Sequence, residues 1–250
     1  MLGRRELIGS MAATAVAGTA AALGAQPGGR ASSGLRVAQG SRWVAIGDSI
    51  TDAGRARPVG EGPAGLGTGY VQTMDALLQA WYPARRIRMI NVGTSGHTVR
   101  DLAARWQTDV TDLQPAWLSV MIGANDVWRQ FDRVTQPEKS VQLDEYERTY
   151  DALLARTAPT LEGGLVLITP FFLELRTNDP MRARMDEYGA VVKKLAAKHR
   201  ATLVDSQAAF DAVLKDLPSA MINWDRVHLN HIGAAVLARA VLGAVGFEWA

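Results

Sequence analysis

The sequence predicts an α/β fold, a three-layer α/β/α sandwich built on a five-stranded parallel sheet. Three observations carry that prediction. Short apolar runs recur at 43–46, 87–92, 117–122, 165–169 and 202–205. Between them lie stretches whose apolar residues return every three or four positions, the period of a helix with one face inward. Strands separated by helices pair in parallel through right-handed crossovers, which puts helices on both faces of the sheet. A chain of 250 residues suffices for one such domain and little more.

The elements follow in order. Trp43 opens the first strand, which runs to Ile46. The stretch 69–82 carries Tyr70, Met74, Leu77, Leu78 and Trp81 at helical spacing. The second strand is 87–92. A helix over 99–110 turns Leu102, Ala103, Trp106 and Val110 to one side. The third strand, 117–122, is followed by a helix over 143–158 with Tyr146, Tyr150, Leu153 and Leu154 inward. The fourth strand, 165–169, is stopped by Pro170. A long helix over 182–200 leads to a short fifth strand, 202–205. Helices near 207–215 and over 232–245 complete the chain. No internal repeat and no second domain are visible.

The first forty residues read differently. Arg4-Arg5 precedes an apolar run, 7–23, of small and aliphatic residues, and Gly24-Ala25 follows. Residues 1–25 therefore read as an export signal of the twin-arginine type, which predicts a periplasmic or secreted protein. The competing reading is an uncleaved anchor; the run is short and weakly hydrophobic for that. Residues 26–40, rich in Gly, Ser, Ala and Arg, read as a flexible linker, and 41–250 as the folded domain. A formal charge of +2 argues for no nucleic-acid surface. The absence of cysteine excludes disulfides, thiolate metal sites and a cysteine nucleophile. Four histidines, His97, His199, His228 and His231, leave little with which to build a histidine-rich metal centre.

In a parallel sheet the chemistry collects at the carboxyl ends of the strands, and three of those ends are chemically pointed. Gly47-Asp48-Ser49 closes the first strand, and its plain reading is a turn or helix cap. Gly93 ends the second strand; it is either an ordinary turn glycine or a backbone N–H aimed at a developing oxyanion. Gly123-Ala-Asn125-Asp126 ends the third, where Asn125 either closes an Asx turn or offers a neutral donor to that oxyanion. Asp48 and Asp126 are read as turn organisers. Near the carboxyl terminus, Asp225 precedes His228 by three residues, a spacing that lets one loop carry both a base and the carboxylate that orients it. Together these are the parts of one acyl-transfer site: Ser49 as nucleophile, His228 as base, Asp225 as orienter, and the N–H groups of Ser49 and Gly93 with the Asn125 amide as oxyanion donors. Gly60-x-Gly62-x-x-Gly65 matches the dinucleotide-binding pattern, but it follows no strand directly, contains Pro63 and opens no helix. It reads better as part of a flexible loop, 53–68, bordering the site. A metallophosphatase would want more histidines than His97 near these loops.

Gly47-Asp-Ser49-Ile-Thr-Asp52, Gly93, Gly123-Ala-Asn125-Asp126 and Asp225-Arg-Val-His228 resemble the four blocks of the SGNH (GDSL-type) hydrolases, which have a flavodoxin-like sandwich. Asn125-Asp-Val-Trp-Arg-Gln-Phe-Asp132, Thr169-Pro-Phe-Phe172, Asp179-Pro-Met-Arg182, Met185-Asp-Glu-Tyr188, Asp205-Ser-Gln-Ala-Ala-Phe210 and Trp224-Asp-Arg-Val-His228 are similar to the serine acetylxylan esterases of that fold, over 43–249. The resemblance implies a serine carboxylesterase that removes acetyl groups from xylan or xylo-oligosaccharides through an acyl-enzyme, with no metal or cofactor. Leu229 departs from it, since proline commonly follows the histidine; the departure predicts a looser loop. Trp128 and Trp224 flank the Asn125 and Asp225 segments and are candidate sugar contacts, the plain alternative being a buried packing role; Arg55, in the loop after the nucleophile, is a candidate either to order that loop or to touch the sugar. His97 is expected to hydrogen-bond within its loop, and His231 to cap the last helix or lie on the surface. The expected partner is a small or oligosaccharide ester, with no stable membrane insertion of the mature domain. Exposed tryptophans would equally suit a homo-oligomer. The alternatives are an esterase or lysophospholipase for other acyl chains, and a non-catalytic carbohydrate-binding module on the same fold.

Overall fold

The computed structural model of the chain describes residues 34–249. Within them one sheet is formed by β1 (Arg42–Gly47), β2 (Gly60–Glu61), β3 (Arg88–Asn91), β4 (Trp117–Met121), β5 (Gly164–Ile168) and β6 (Thr202–Val204), in the order β2-β3-β1-β4-β5-β6. Five strands run parallel, as the sequence predicts. The register sets Val44 of β1 between Ile90 and Leu118. Every residue of β4 is buried, because helices cover both faces. The one polar side chain there, Ser119, accepts a hydrogen bond from Trp43 Nε1 at 3.1 Å.

The sheet departs from expectation at its edge. Gly60 and Glu61 pair antiparallel with Asn91 and Ile90, adding a sixth strand that two residues without an apolar run could not announce. The stretch 53–68, expected to be a flexible loop, is tied down by Ala56 N–H to Gly65 O, Thr68 N–H to Ala53 O, and this strand pair.

The helices are α1 (Ser49–Asp52), α2 (Tyr70–Trp81), α3 (Val99–Trp106), α4 (Ala124–Asp132), α5 (Leu143–Thr157), α6 (Pro180–Lys198), α7 (Ser206–Leu214) and α8 (His231–Ala244). The chain moves one way along the sheet from β1 to β3 and the other way from β3 to β6. Right-handed crossovers therefore place α2 on one face and α3, α5 and α6 on the other. The packing agrees: α2 lies on α8 and α8 on α7, while α3 lies on α5 and α5 on α6. The helix expected over 99–110 is α-helical to Trp106 and widens into a π-turn over Gln107–Thr111. The long helix begins two residues earlier than predicted, because the Asp179 carboxylate caps Met181 and Arg182 N–H and Pro180 fits the first turn. The expectation missed α4 and the single turn α1, both of which begin at the strand-end motifs. Among the described residues no helix is long and apolar enough to cross a membrane.

The linker assigned to 26–40 extends too far. Leu35 and Val37 are buried in the core, and Arg36 N–H donates to Val245 O at 3.0 Å, so the folded domain begins before residue 41. Two apolar side chains in a small-residue stretch were enough to dock it beside the end of α8. The export signal assigned to 1–25 lies outside the described residues, as does the linker up to residue 33.

Candidate active site

β1 lies where the chain reverses its direction across the sheet, so a crevice opens at its carboxyl end between the segments that follow β3 and β4. Ser49 stands there as the first residue of α1, capped by Asp48, whose Oδ1 accepts from Ile50 N–H at 3.0 Å. Ser49 Oγ is 2.9 Å from His228 Nε2, and His228 Nδ1 is 2.6 Å from Asp225 Oδ2. A carboxylate at Nδ1 accepts that N–H and leaves Nε2 bare, as an acceptor for the serine hydroxyl. The other Asp225 oxygen accepts from Val227 and His228 N–H, at 2.9 and 3.0 Å. Burial alone would raise the Asp225 pKa, but the His228 ring and the two backbone donors outweigh it and hold the group below the usual carboxylate range.

The loop carrying this pair is braced rather than loosened. Arg226 takes a left-handed backbone, φ 62, which turns the chain so that the aspartate faces back onto His228. Its carbonyl accepts from Leu173 N–H, and its guanidinium pairs with Glu174 at 2.9 Å. Leu229, where proline was expected, packs against the core beside Gly233. Asn230 caps α8, and His231 is an exposed first-turn residue.

Ser49, Asn125 and His228 line one cleft of 330 Å³. Asn125 is buried in the first turn of α4; its Nδ2 donates to His97 O at 3.0 Å, and its Oδ1 accepts from Arg129 Nη2 at 3.0 Å. The glycine expected to be an oxyanion donor is not at this cleft. Gly93 is buried, and its N–H is committed to Asn91 Oδ1 at 2.9 Å. A Cβ there would lie 2.3 Å from Asp52 N, so Gly93 serves the close approach of two backbone segments. The cleft is lined instead by Gly96, three residues on, with φ +82 and open space where a Cβ would project. Among the described residues the N–H groups of Ser49 and Gly96 have no acceptor.

Beneath the cleft, polar side chains fix the loops that sequence reasoning left unassigned. Asp52, buried, accepts from Ser95 N–H and Oγ–H, both at 2.9 Å, and from Arg57 at 2.6 Å. Asn91 Nδ2 holds Thr51 O and Leu66 O at 2.6 and 2.9 Å. Arg105 donates to Gly47 O, Val92 O and His97 Nδ1, binding two strand ends and the following loop. Burial and the Arg105 charge lower the His97 pKa, which keeps it a neutral acceptor within its loop. Nothing in the spacing of α3 distinguishes Arg105 from a surface arginine. Asp48 and Asp126 are more than turn formers. Both are buried, each has one carboxyl oxygen without a partner, and burial pushes their pKa values up to about 6 and about 7.

The three candidate sugar contacts separate. Trp128 is half-buried in the cleft, its ring 5.8 Å from that of His228. Trp224 is 86% exposed and does not line the cleft. Arg55 is buried and does not line the cleft; Nε donates to Gly93 O at 2.7 Å and Nη1 to Ala56 O and Pro58 O, so it braces the loop that follows the nucleophile. A larger cavity, 720 Å³, lies at the opposite end of the strands beside Arg42, Arg88 and Ala116, away from this chemistry.

A doubly wound sheet with a serine–histidine–aspartate relay at its switch point defines a serine hydrolase of the flavodoxin-like kind. The chain belongs to the GDSL-like Lipase/Acylhydrolase family, whose profile matches residues 45–236. It is 53% identical over 216 residues to an acetylxylan esterase of Geobacillus stearothermophilus, spanning 86% of this chain and 98% of that one. The crystal structure of that organism's acetylxylan esterase Axe2 superposes with a TM-score of 0.84 at 53% identity, with the same coverage. Catalytic mutants of Axe2 have been solved with a serine, an aspartate and a histidine each replaced by alanine, spaced in that chain as Ser49, Asp225 and His228 are here. LAE5, an alpha/beta hydrolase enzyme from the metagenome of Lake Arreo, is similar at 50% identity and a TM-score of 0.83, over 85% of this chain and 98% of its own.

Proposed function

We infer that this protein is a serine carboxylesterase that removes acetyl groups from acetylated xylan or xylo-oligosaccharides. The observation that carries the reading is the unbroken relay from Ser49 through His228 to Asp225, opening on a cleft with amide donors. His228 takes the Ser49 proton as Oγ attacks the acetyl carbonyl, and Asp225 steadies the imidazolium. The oxyanion is received by the N–H groups of Ser49 and Gly96 and by Asn125 Nδ2; losing one such donor typically costs about 3 kcal/mol in the barrier. His228 then protonates the departing sugar oxygen. Water, deprotonated by the same ring, attacks the acetyl-serine and releases acetate.

The size of the cleft, 330 Å³, and its single aromatic wall at Trp128 favour a short acyl group on a sugar over a lipid chain. Similarity to acetylxylan esterases supports the same substrate class. The test is acetate release from acetylated xylo-oligosaccharides, compared with esters of rising chain length and a lysophospholipid, for wild type and Ser49→Ala. Acetate release that the alanine variant loses bears the reading out. A wild type that hydrolyses none of the acetyl sugars while still binding them would make the protein a carbohydrate-binding module. Export through the Arg4-Arg5 segment is a separate proposal, tested by whether residues 1–40 carry a reporter across a bacterial inner membrane and whether replacing both arginines by lysine stops it.

A further inference from the structure

An asparagine serves an oxyanion only if its amide is turned the right way. Nδ2 must face the reacting carbonyl and Oδ1 must face elsewhere, although the two ends have nearly the same shape. In this site two contacts decide the orientation. One Nδ2 hydrogen of Asn125 goes to His97 O, and Oδ1 takes the Nη2 hydrogen of Arg129, each at 3.0 Å. Arg129 lies one helical turn beyond Asn125 on α4 and lines the same cleft. Its own place is held by an ion pair with Asp132 and by the face of Trp128, 5.8 Å from its guanidinium carbon. Its side chain is only 25% exposed. If the amide flipped, its NH2 would meet the guanidinium donors and its oxygen would meet a carbonyl.

We propose that Arg129 is a positioning residue for ester hydrolysis: it locks the Asn125 amide with its second N–H toward the oxyanion and, by charge-assisted bonding to Oδ1, makes that N–H a stronger donor. The inference rests on the acyl-transfer reading of the site. The strengthening follows from the polarisation of linked hydrogen bonds, and bonds to a charged donor are about twice as strong as neutral ones. Nothing in this role requires Arg129 to touch the sugar, so its effect belongs to the acetyl carbonyl and is the same whatever the leaving group.

The test is a double-mutant cycle of Arg129→Met and Asn125→Ala, with kcat and KM measured on 4-nitrophenyl acetate and on an acetylated xylo-oligosaccharide. Arg129→Lys is measured beside them as the conservative variant, and Ser49→Ala as the check on the site. Arg129→Met is expected to lower kcat by about 10-fold on both esters with KM little changed, a fraction of the ~10²–10³-fold that loss of a whole oxyanion donor costs. Arg129→Lys, which keeps a cationic donor, is expected to recover part of the loss. In the Asn125→Ala background, Arg129→Met is expected to change kcat by less than about 2-fold. A loss that is fully additive with Asn125→Ala, or one confined to the sugar ester and to KM, overturns the proposal while leaving the triad standing. If Ser49→Ala keeps full activity, the acyl-transfer reading falls and takes this role with it. Equal melting temperatures for wild type and Arg129→Lys separate positioning from folding.

Discussion

Replacing Asp126 by asparagine should stabilise the protein, and by an amount that grows with pH. Asp126 is fully buried, next to Asn125 in the chain. One carboxyl oxygen accepts from Val99 N–H at 3.0 Å, tying α4 to the start of α3, and the other has no partner. Burial is the main cause that lifts its pKa from 3.8 to about 7, with the charges of Asp48 and Asp101 adding to it against the backbone donors. Tyr146, Tyr188 and Arg100 are the other ionisable groups that feel its charge. Because the folded state holds the proton more tightly than the unfolded chain, stability is greatest at low pH and is lost as pH rises from 3.8 through about 7. Between about pH 5 and pH 8 the loss is about 2–3 kcal/mol for one such group. Asparagine keeps the oxygen that binds Val99 and cannot ionise. The variant should therefore gain on the wild type by about that much across the range, with the difference levelling off above about pH 8. Urea denaturation at half-unit steps of pH measures it, provided the slope with denaturant matches between the two proteins. A stability difference that is flat over this range would refute a raised Asp126 pKa, and one that shrinks as pH rises would reverse the sign of the reasoning.

Three further predictions follow from the site. Gly93→Ala should destabilise strongly, by about 2 kcal/mol or more, because the new methyl meets backbone at 2.3 Å, whereas Gly96→Ala meets open space and should cost about 1 kcal/mol of left-handed strain while depressing kcat; thermal melts and kinetics of the pair distinguish the two roles. Asp225→Asn should lower kcat by about 10⁴-fold, as loss of the orienting carboxylate does in other serine hydrolases, and the residual rate should vanish in Ser49→Ala. Arg55→Met should lower the melting temperature with little change in KM for the acetyl sugar, since Arg55 binds three loop carbonyls and is buried; a raised KM at unchanged stability would return it to the substrate.

The sheet was readable because buried parallel strands leave uninterrupted apolar runs, and 43–46, 117–122 and 165–169 each mark their strand to within a residue. The two-residue strand β2 escaped because its pairing comes from the path of the loop and not from any run of side chains. At the site, Ser49, Asp225 and His228 stand out because proton transfer demands particular residue types, and the fold places those types at strand ends and on the carboxy-terminal loop. Backbone donors carry no such mark. Gly93 and Gly96 are the same residue in the same loop, and only the path of the chain shows that one is pressed against Asp52 while the other turns outward with φ +82. Arg55 illustrates a related point. The sequence leaves it open between ordering its loop and touching the sugar, and only the folded path of the chain brings the carbonyls of Gly93, Ala56 and Pro58 to its Nε and Nη1.

The same accounting explains why the polar groups beneath the site matter as much as those in it. An oxyanion site works when its donors are already fixed before the charge appears, so that no reorganisation is needed during reaction. Here each donor is tied to the frame by a different group. Asp48 caps the turn that carries Ser49, Asp52 holds Ser95 beside Gly96, and Arg105 ties His97 to Gly47 and Val92. His97 O and Arg129 then fix the Asn125 amide, while Asp126 locks the following residue of α4 to the start of α3. Buried carboxylates and arginines are costly ways to hold a loop, since each must be desolvated. Their concentration under this one edge of the sheet, where one carboxyl oxygen each of Asp48, Asp52 and Asp126 remains unpartnered, is what a fold looks like when rigid placement of amide donors weighs more than stability.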